Sequence, residues 1–269
     1  MKKFNKVIAL VLAVLFVAAS FAACSSNSGK DDKGTTEAAK TQKVKVIDIA
    51  LSDEEYAFGV DKKQPELKEK ANAFIKEIKE NGKLDEICNH YFGSGEPAGV
   101  TSAAEDSTKD QLVVATNAEF EPFEYKKGDT FYGIDMEIAK ALADSLGKEL
   151  VIKDMKFEAV VTSVQQQKCD IAMAGLTVNE SRAKQVDFTD SYYSASQKVV
   201  VKGDDTTFDA CKTKEDVEKI LNGLDSSVKI GGQNGTTGQS YVQGSEDMGF
   251  AGLKAVSYTH LTLPTKRIV

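Results

Sequence analysis

From residue 111 onward, short apolar β-branched runs alternate with helical apolar stripes, and this alternation constrains the fold more than any other feature. Residues 112–116 read as a strand. Ile134, Ile138, Ala141, Leu142 and Leu146 then line one face of a helix that stops at Gly147. Strands follow at 149–153, 170–174 and 197–202. Between them Phe157, Val160, Val161 and Val164 mark a helix, and Asn179 caps a short one, with 187–193 leaving it extended. The order predicts an α/β fold with a largely parallel sheet. Upstream, 43–51 and 56–60 read as strands. Pro65 opens a helix striped by Leu67, Ala71, Phe74, Ile75 and Ile78 and stopped at Gly82. Leu84, Ile87, Cys88, Tyr91 and Phe92 form another stripe, ended by Gly93. Beyond Gly203-Asp204-Asp205, Thr213 with Asp216 caps a helix that turns Val217, Ile220, Leu221 and Leu224 inward. Residues 228–231 read as a strand, the loop 232–238 follows, and a further helix begins near Gln239.

The polar stretches between these elements set the organisation. Residues 1–23 begin with the cationic run MKKFNK and continue with about 13 apolar residues, too few to span a bilayer. They read as a secretory signal peptide. FAAC, ending at Cys24, resembles a lipobox, so Cys24 is expected to be lipidated and to hold the chain at the outer side of a bacterial cell membrane. An ordinary cleaved signal with an incidental Cys is the other reading. Residues 24–42 (CSSNSGKDDKGTTEAAKTQ) are too polar to bury a core and read as a flexible tether. Residues 94–110 read as a second polar linker. Residues 256–269 differ in composition from the rest and resemble translated adaptor read-through, hence a non-native tail; a C-terminal strand is the alternative.

Composition narrows the function classes. The chain has 269 residues, 41% hydrophobic and 28% charged, so a real core can form. A net charge of −7 disfavours nucleic acid as a partner. Two His and four scattered Cys leave no metal cage. With Cys24 acylated, Cys88, Cys169 and Cys211 remain, an odd number that argues against a disulfide framework. One pair stays open; otherwise they are small buried hydrophobes. No Ser/His or Cys/His pairing and no poised carboxylate pair is visible, so no enzyme activity and no cofactor are expected.

Three segments bear the candidate site. Residues 115–125 leave the first α/β strand, where open sheets bind ligands. Residues 174–182 again run from a strand end into a helix start. The small-residue loop 235–238 opens a helix and lacks the Gly-Lys-Ser/Thr ending of a nucleotide loop. Arg182 is the sharpest signal. Only two Arg occur, Arg182 and Arg267, and Lys carries the remaining positive charge. A planar fork grips a carboxylate through two parallel hydrogen bonds, which Lys cannot do. A surface or capping Arg is the bland alternative. Phe120 and Phe123 read as core residues or as a ligand platform.

The stretches ATNAEFEPFEY, GIDMEIAKALADSLG, CDIAMAGLTVNESRAKQVDFTDSYY and KIGGQNGTTGQSY resemble the family 3 solute-binding proteins of amino-acid ABC importers, nearest the glutamine- and histidine-binding branches. The resemblance implies a periplasmic-binding-protein-like type II fold of two lobes that close on one amino acid. It implies that Arg182 clamps the ligand carboxylate with help from the Thr177 hydroxyl. It further implies that the Gly175 carbonyl meets the ammonium and that Phe120 and Phe157 sandwich the side chain. Thr236 and Thr237 would close from the other lobe. Asn117 stands where the family often has Asp, and no second Arg is placed for a side-chain carboxylate. A neutral, glutamine-like amino acid is therefore expected. The partners implied are that amino acid, an ABC transporter permease and the membrane through the anchor, with the protein a monomer. Rival readings are a same-fold periplasmic enzyme resembling prephenate or arogenate dehydratases, and a sensory domain.

Two departures from the family pattern are expected to matter. Residues 43–93 resemble the family's C-terminal segment yet precede its N-terminal segment, 111–200. A circular permutation joined through 94–110 explains this, as does a tandem pair that has lost its middle. Lobe 1 is then complete as 43–200, and lobe 2 is partial as 201–255, with ligand binding expected to be poor.

Overall fold

The computed structural model describes residues 44–225 and 227–253, and the backbone of 257–260. The signal peptide, Cys24, the tether and most of the tail lie outside the described residues.

Among the described residues, fourteen strands, seven α-helices and a 3-10 turn follow in chain order. The first segment supplies β1 (Val44–Val46), β2 (Glu54–Tyr56), β3 (Gly59–Val60), α1 (Pro65–Glu80) and α2 (Lys83–Phe92). The central segment supplies β4 (Gln111–Thr116), β5 (Glu119–Phe120), β6 (Glu124–Lys127), β7 (Thr130–Tyr132), α3 (Ile134–Ser145), β8 (Glu149–Asp154), α4 (Phe157–Gln165), β9 (Ile171–Ala172), α5 (Glu180–Ala183), β10 (Asp187–Phe188) and β11 (Tyr193–Ala195). Then come β12 (Val200–Lys202), α6 (Lys214–Asn222), β13 (Lys229–Gly232), α7 (Thr237–Gln243), the 3-10 turn Glu246–Met248 and β14 (Ser257–His260).

The main sheet has the order β10-β3-β9-β4-β8. β4 lies parallel to both β8 and β9, while β3 runs antiparallel to β9 and β10. The sheet is therefore mixed, with an antiparallel pair at one edge. That edge comes from the segment 44–92, so this segment and the central one share one sheet. β4 reads Leu112-Val113-Val114-Ala115 without polar alternation because its two faces are both covered. On one face, Phe58, Ile75, Ile87, Leu112, Ile138 and Met173 pack with α1, α2 and α3. On the other, Phe157, Val160, Val164, Ala172 and Val186 pack around α4. A separate core gathers Ile47, Leu51, Phe208, Val217, Leu221 and Tyr241. Two chain stretches lead from the sheet body to this second core. They run antiparallel, with the Ile47 N–H on the Val199 carbonyl and the Leu51 N–H on the Gln197 carbonyl, each 2.9 Å, and continue into the β1–β12 ladder. The α/β class and the two-body layout expected above are both present.

Several expectations need correction. The strand expected over 43–51 shrinks to β1, because residues 47–53 cross between bodies instead of joining a ladder. The strand expected over 56–60 splits into β2 and β3, which pair with different partners. The stretch 187–193 divides likewise into β10 and β11. The hairpin strands β5, β6 and β7 had no period-2 pattern to announce them. The linker is not a loose chain. Val100 is buried and exchanges both backbone hydrogen bonds with Phe131, at 2.7 and 2.9 Å. The Ala103 N–H reaches the Leu150 carbonyl, and Ser102 Oγ accepts from the Ile152 N–H. This segment therefore covers the free edge of β8, which an edge strand needs. At the far end, β14 lies parallel to β13, pairing Lys229 with Ser257 through Gly232 with His260.

Candidate functional site

The site lies beyond the carboxyl ends of β4 and β9, facing the second body. Asn117 follows β4, Gly175 and Thr177 follow β9, and Arg182 sits in the single turn of α5. Asn179 caps that turn by accepting the Arg182 N–H at 2.8 Å. Gly175 has φ +52°, and a Cβ there would stand 2.7 Å from the Phe120 ring. Only glycine fits this approach. Its N–H donates to the Asp135 carboxylate at 2.9 Å, which also takes the Tyr192 hydroxyl at 2.5 Å. Burial pushes the Asp135 carboxyl up to about 7, against the pull of both hydrogen bonds.

Arg182 is buried, and its fork spans the two bodies. One terminal nitrogen donates to the Thr177 carbonyl at 2.7 Å and the other to the Gly235 carbonyl at 3.0 Å, across the gap between bodies. The guanidinium carbon lies 5.3 Å from the centre of the Phe157 ring, within cation–π reach. Two other inter-body contacts flank this one. Gln233 Nε2 donates to Asn117 Oδ1 at 2.9 Å, and Thr237 Oγ1 donates to Thr177 Oγ1 at 3.1 Å. Asn117 Nδ2 in turn donates to the Met155 carbonyl at 2.9 Å.

The expected site residues therefore converge, with differences of detail. Asn117, Thr177, Arg182 and Thr237 meet along the seam between bodies. Phe157 lies under Arg182 and belongs to the core around α4. Phe120 belongs to the other core, packed on Phe123 at 5.3 Å between centroids. Thr236 is used locally: its hydroxyl donates to the Gln233 carbonyl and accepts from the Gln239 N–H as the cap of α7. The Thr177 hydroxyl spends its proton on Glu54 Oε2, at 2.7 Å, so towards the cleft it can only accept. A cavity of about 250 Å³ beside Arg182 is lined by Phe157, Glu158, Gly235, Ser240 and Asp247 among others. Of the expected site residues only Phe157 and Arg182 line it; Asn117, Phe120, Gly175, Thr177, Thr236 and Thr237 do not.

Two functional candidates escaped the sequence reading. Glu54 is one carboxylate among many in an acidic stretch, with no spacing to single it out. Asp135 did leave a trace: with Ile138 and Leu142 it lies on the apolar face of α3, where a carboxylate is out of place. Among the described residues no group of His, Cys, Asp and Glu is placed to hold a metal ion. Cys88, Cys169 and Cys211 are free thiols; burial pushes that of Cys88 up to about 11.

Residues 112–243 match the model of the bacterial extracellular solute-binding proteins, family 3. The arginine-binding extracellular protein ArtP of Bacillus subtilis is 41% identical over 106 residues, 39% of this chain and 42% of that protein. The ABC transporter arginine-binding protein 1 of Escherichia coli is 30% identical over 153 residues, 56% of each chain. The histidine-binding periplasmic protein of Escherichia coli is 25% identical over 158 residues, 58% of this chain and 56% of that one. The chain thus spans about half the length of the curated relatives it matches. Among solved structures, an ancestral arginine-binding protein bound to arginine superposes with a TM-score of 0.45 at 33% identity, covering 56% of this chain and 61% of that one. The stretch that carries Arg182, residues 112–243, is thus similar to the bacterial extracellular solute-binding proteins, family 3.

Proposed function

We propose that this protein captures a free polar amino acid in the cleft between its two bodies and hands it to an ABC transporter permease. The observation that carries this reading is Arg182: a buried guanidinium held at the seam, on backbone carbonyls of both bodies, over an aromatic ring. Carbonyl oxygens are weaker partners than a carboxylate, which takes the same fork as a charge-assisted bidentate pair. A ligand carboxylate would therefore displace the Gly235 carbonyl and draw the loop 233–237 onto itself. Phe157 would flank the ligand on one side, and Phe120, packed under Gly175, would form the other wall. Arg182 and the loop make a binding device. The rival reading as a dehydratase-like enzyme gains nothing from this geometry.

For the side chain, the neutral amide of Asn117 supports a glutamine-like ligand, since it both donates and accepts. A cationic ligand is the second reading, favoured by relatives named as arginine- and histidine-binding. The domain limits proposed are 43–200 for the first lobe and 201–255 for the second, with permutation through the docked linker as the preferred explanation of the segment order. Lipidation at Cys24 and an extracytoplasmic, membrane-held monomer complete the proposal. Titration calorimetry with L-glutamine, L-arginine and L-histidine tests it. Heat of binding for L-glutamine above the other two supports the neutral reading, a preference for L-arginine or L-histidine replaces it with the cationic one, and no heat with any of them even at the millimolar concentrations that reveal the weak binding expected of a partial second lobe contradicts the function.

A further inference from the structure

Glu54 is 3% exposed, at the start of β2 where the two crossing stretches meet the sheet body. A buried carboxylate is tolerated when its oxygens are met by donors. Here Ser52 Oγ donates to Oε1 at 2.5 Å, Gln197 Nε2 donates to Oε1 at 3.0 Å, and Thr177 Oγ1 donates to Oε2 at 2.7 Å. The third bond has a consequence for the cleft. A hydroxyl has one proton and two lone pairs. With its proton on Glu54, Thr177 Oγ1 is an acceptor only, and the group it accepts from is the Thr237 hydroxyl of the opposite body. The same Thr177 holds Arg182 through its carbonyl. One residue therefore separates a fixed cation from an acceptor backed by a carboxylate. That polarity matches the two charged ends of an α-amino acid.

We propose that Glu54 is a positioning residue that determines specificity: by keeping the Thr177 hydroxyl an acceptor, and by its charge, it makes the cleft require the ligand's α-ammonium. The ammonium takes the place of the Thr237 donor on Thr177 Oγ1, while the carboxylate lies on Arg182. This inference rests on the amino-acid reading above, and it reverses the expectation that the Thr177 hydroxyl donates to the ligand carboxylate.

The test is calorimetry on the full chain with L-glutamine and L-arginine, each beside its counterpart lacking the α-ammonium, glutaramate and 5-guanidinopentanoate. Wild type should prefer the amino acid by about tenfold or more, as loss of a hydrogen bond to a charged group implies. Glu54→Gln places an amide donor against Thr177, so its hydroxyl proton turns towards the cleft. Affinity for the amino acid should then fall about tenfold while the deaminated acid binds as well as before or better, erasing the preference. Thr177→Val removes the hydroxyl without touching Arg182 and should erase the preference too, which keeps the test available if Glu54→Gln does not fold. A preference that survives in either folded variant overturns the inference. So does an equal loss for both ligand types, which is what a merely structural Glu54 would produce. If wild type itself binds neither amino acid, the functional reading falls first and takes this inference with it.

Discussion

Gly175 shows how little freedom the site leaves to single residues. Its positive φ and its 2.7 Å approach to the Phe120 ring mean that Gly175→Ala must move the ring or the backbone. Such strain costs about 1–3 kcal/mol, so urea unfolding of Gly175→Ala should show a loss of that order. An unchanged midpoint would mean that the loop adapts. Asp135, which anchors the Gly175 N–H, adds a pH dependence. An ordinary unfolded carboxyl titrates near 3.9. Folded Asp135 keeps its proton up to about 7. Between about pH 4 and that value the folded chain holds a proton that the unfolded chain has released, so this site's contribution to stability falls as pH rises and then levels off. Asp135→Asn removes the titration. The melting temperature of wild type relative to Asp135→Asn should therefore drop from pH 4.5 to pH 7.5, and a constant gap would contradict the assignment.

At the scale of elements, the segment 94–110 is the instructive one. Its Gly, Ser, Thr and acidic residues suggest a solvated connector, and nothing in that composition marks one valine as an anchor. Yet the exchange of hydrogen bonds between Val100 and Phe131, with Ala103 on Leu150, ties it to β7 and β8. Amide hydrogen exchange should find Val100, Phe131 and Ile152 protected well beyond a free coil, whereas coil-like exchange at Val100 would mean that the docking does not hold in solution. The helices were legible because 3.6-residue periodicity is local. α1, α2, α3 and α4 start within a residue or two of where their stripes and caps placed them. Short strands were not, because two or three residues carry no period and their partners are distant in sequence. β2 and β3 are the clearest case: one apparent strand is divided by its partners, β11 for the first half and β9 with β10 for the second. In the site, Arg182 stood out through its rarity, whereas Gly175 entered only through the family resemblance. Glu54 could not stand out, since its meaning comes from Thr177, which lies 123 positions away.

Across the whole molecule, the sheet body and the second core are joined by two antiparallel stretches, and where the site residues meet polar contacts bridge the seam: Arg182 with Gly235, Asn117 with Gln233, Thr177 with Thr237. The two neutral bonds contribute about 0.5–1.5 kcal/mol each and the one from the guanidinium about 1.5–3 kcal/mol, so a small ligand with two charged ends can compete for them. Such a ligand shifts the balance between open and closed arrangements only by as much as it prefers one of them. The preference is assigned here to a carboxylate on Arg182. Calorimetric titration of wild type and Arg182→Lys with the amino acid that wild type binds best puts that assignment to the test. Lys keeps the charge and loses the fork, so affinity of the folded variant should fall by about tenfold or more. Equal affinity in the two proteins would remove Arg182, and with it the amino-acid cleft, from the account.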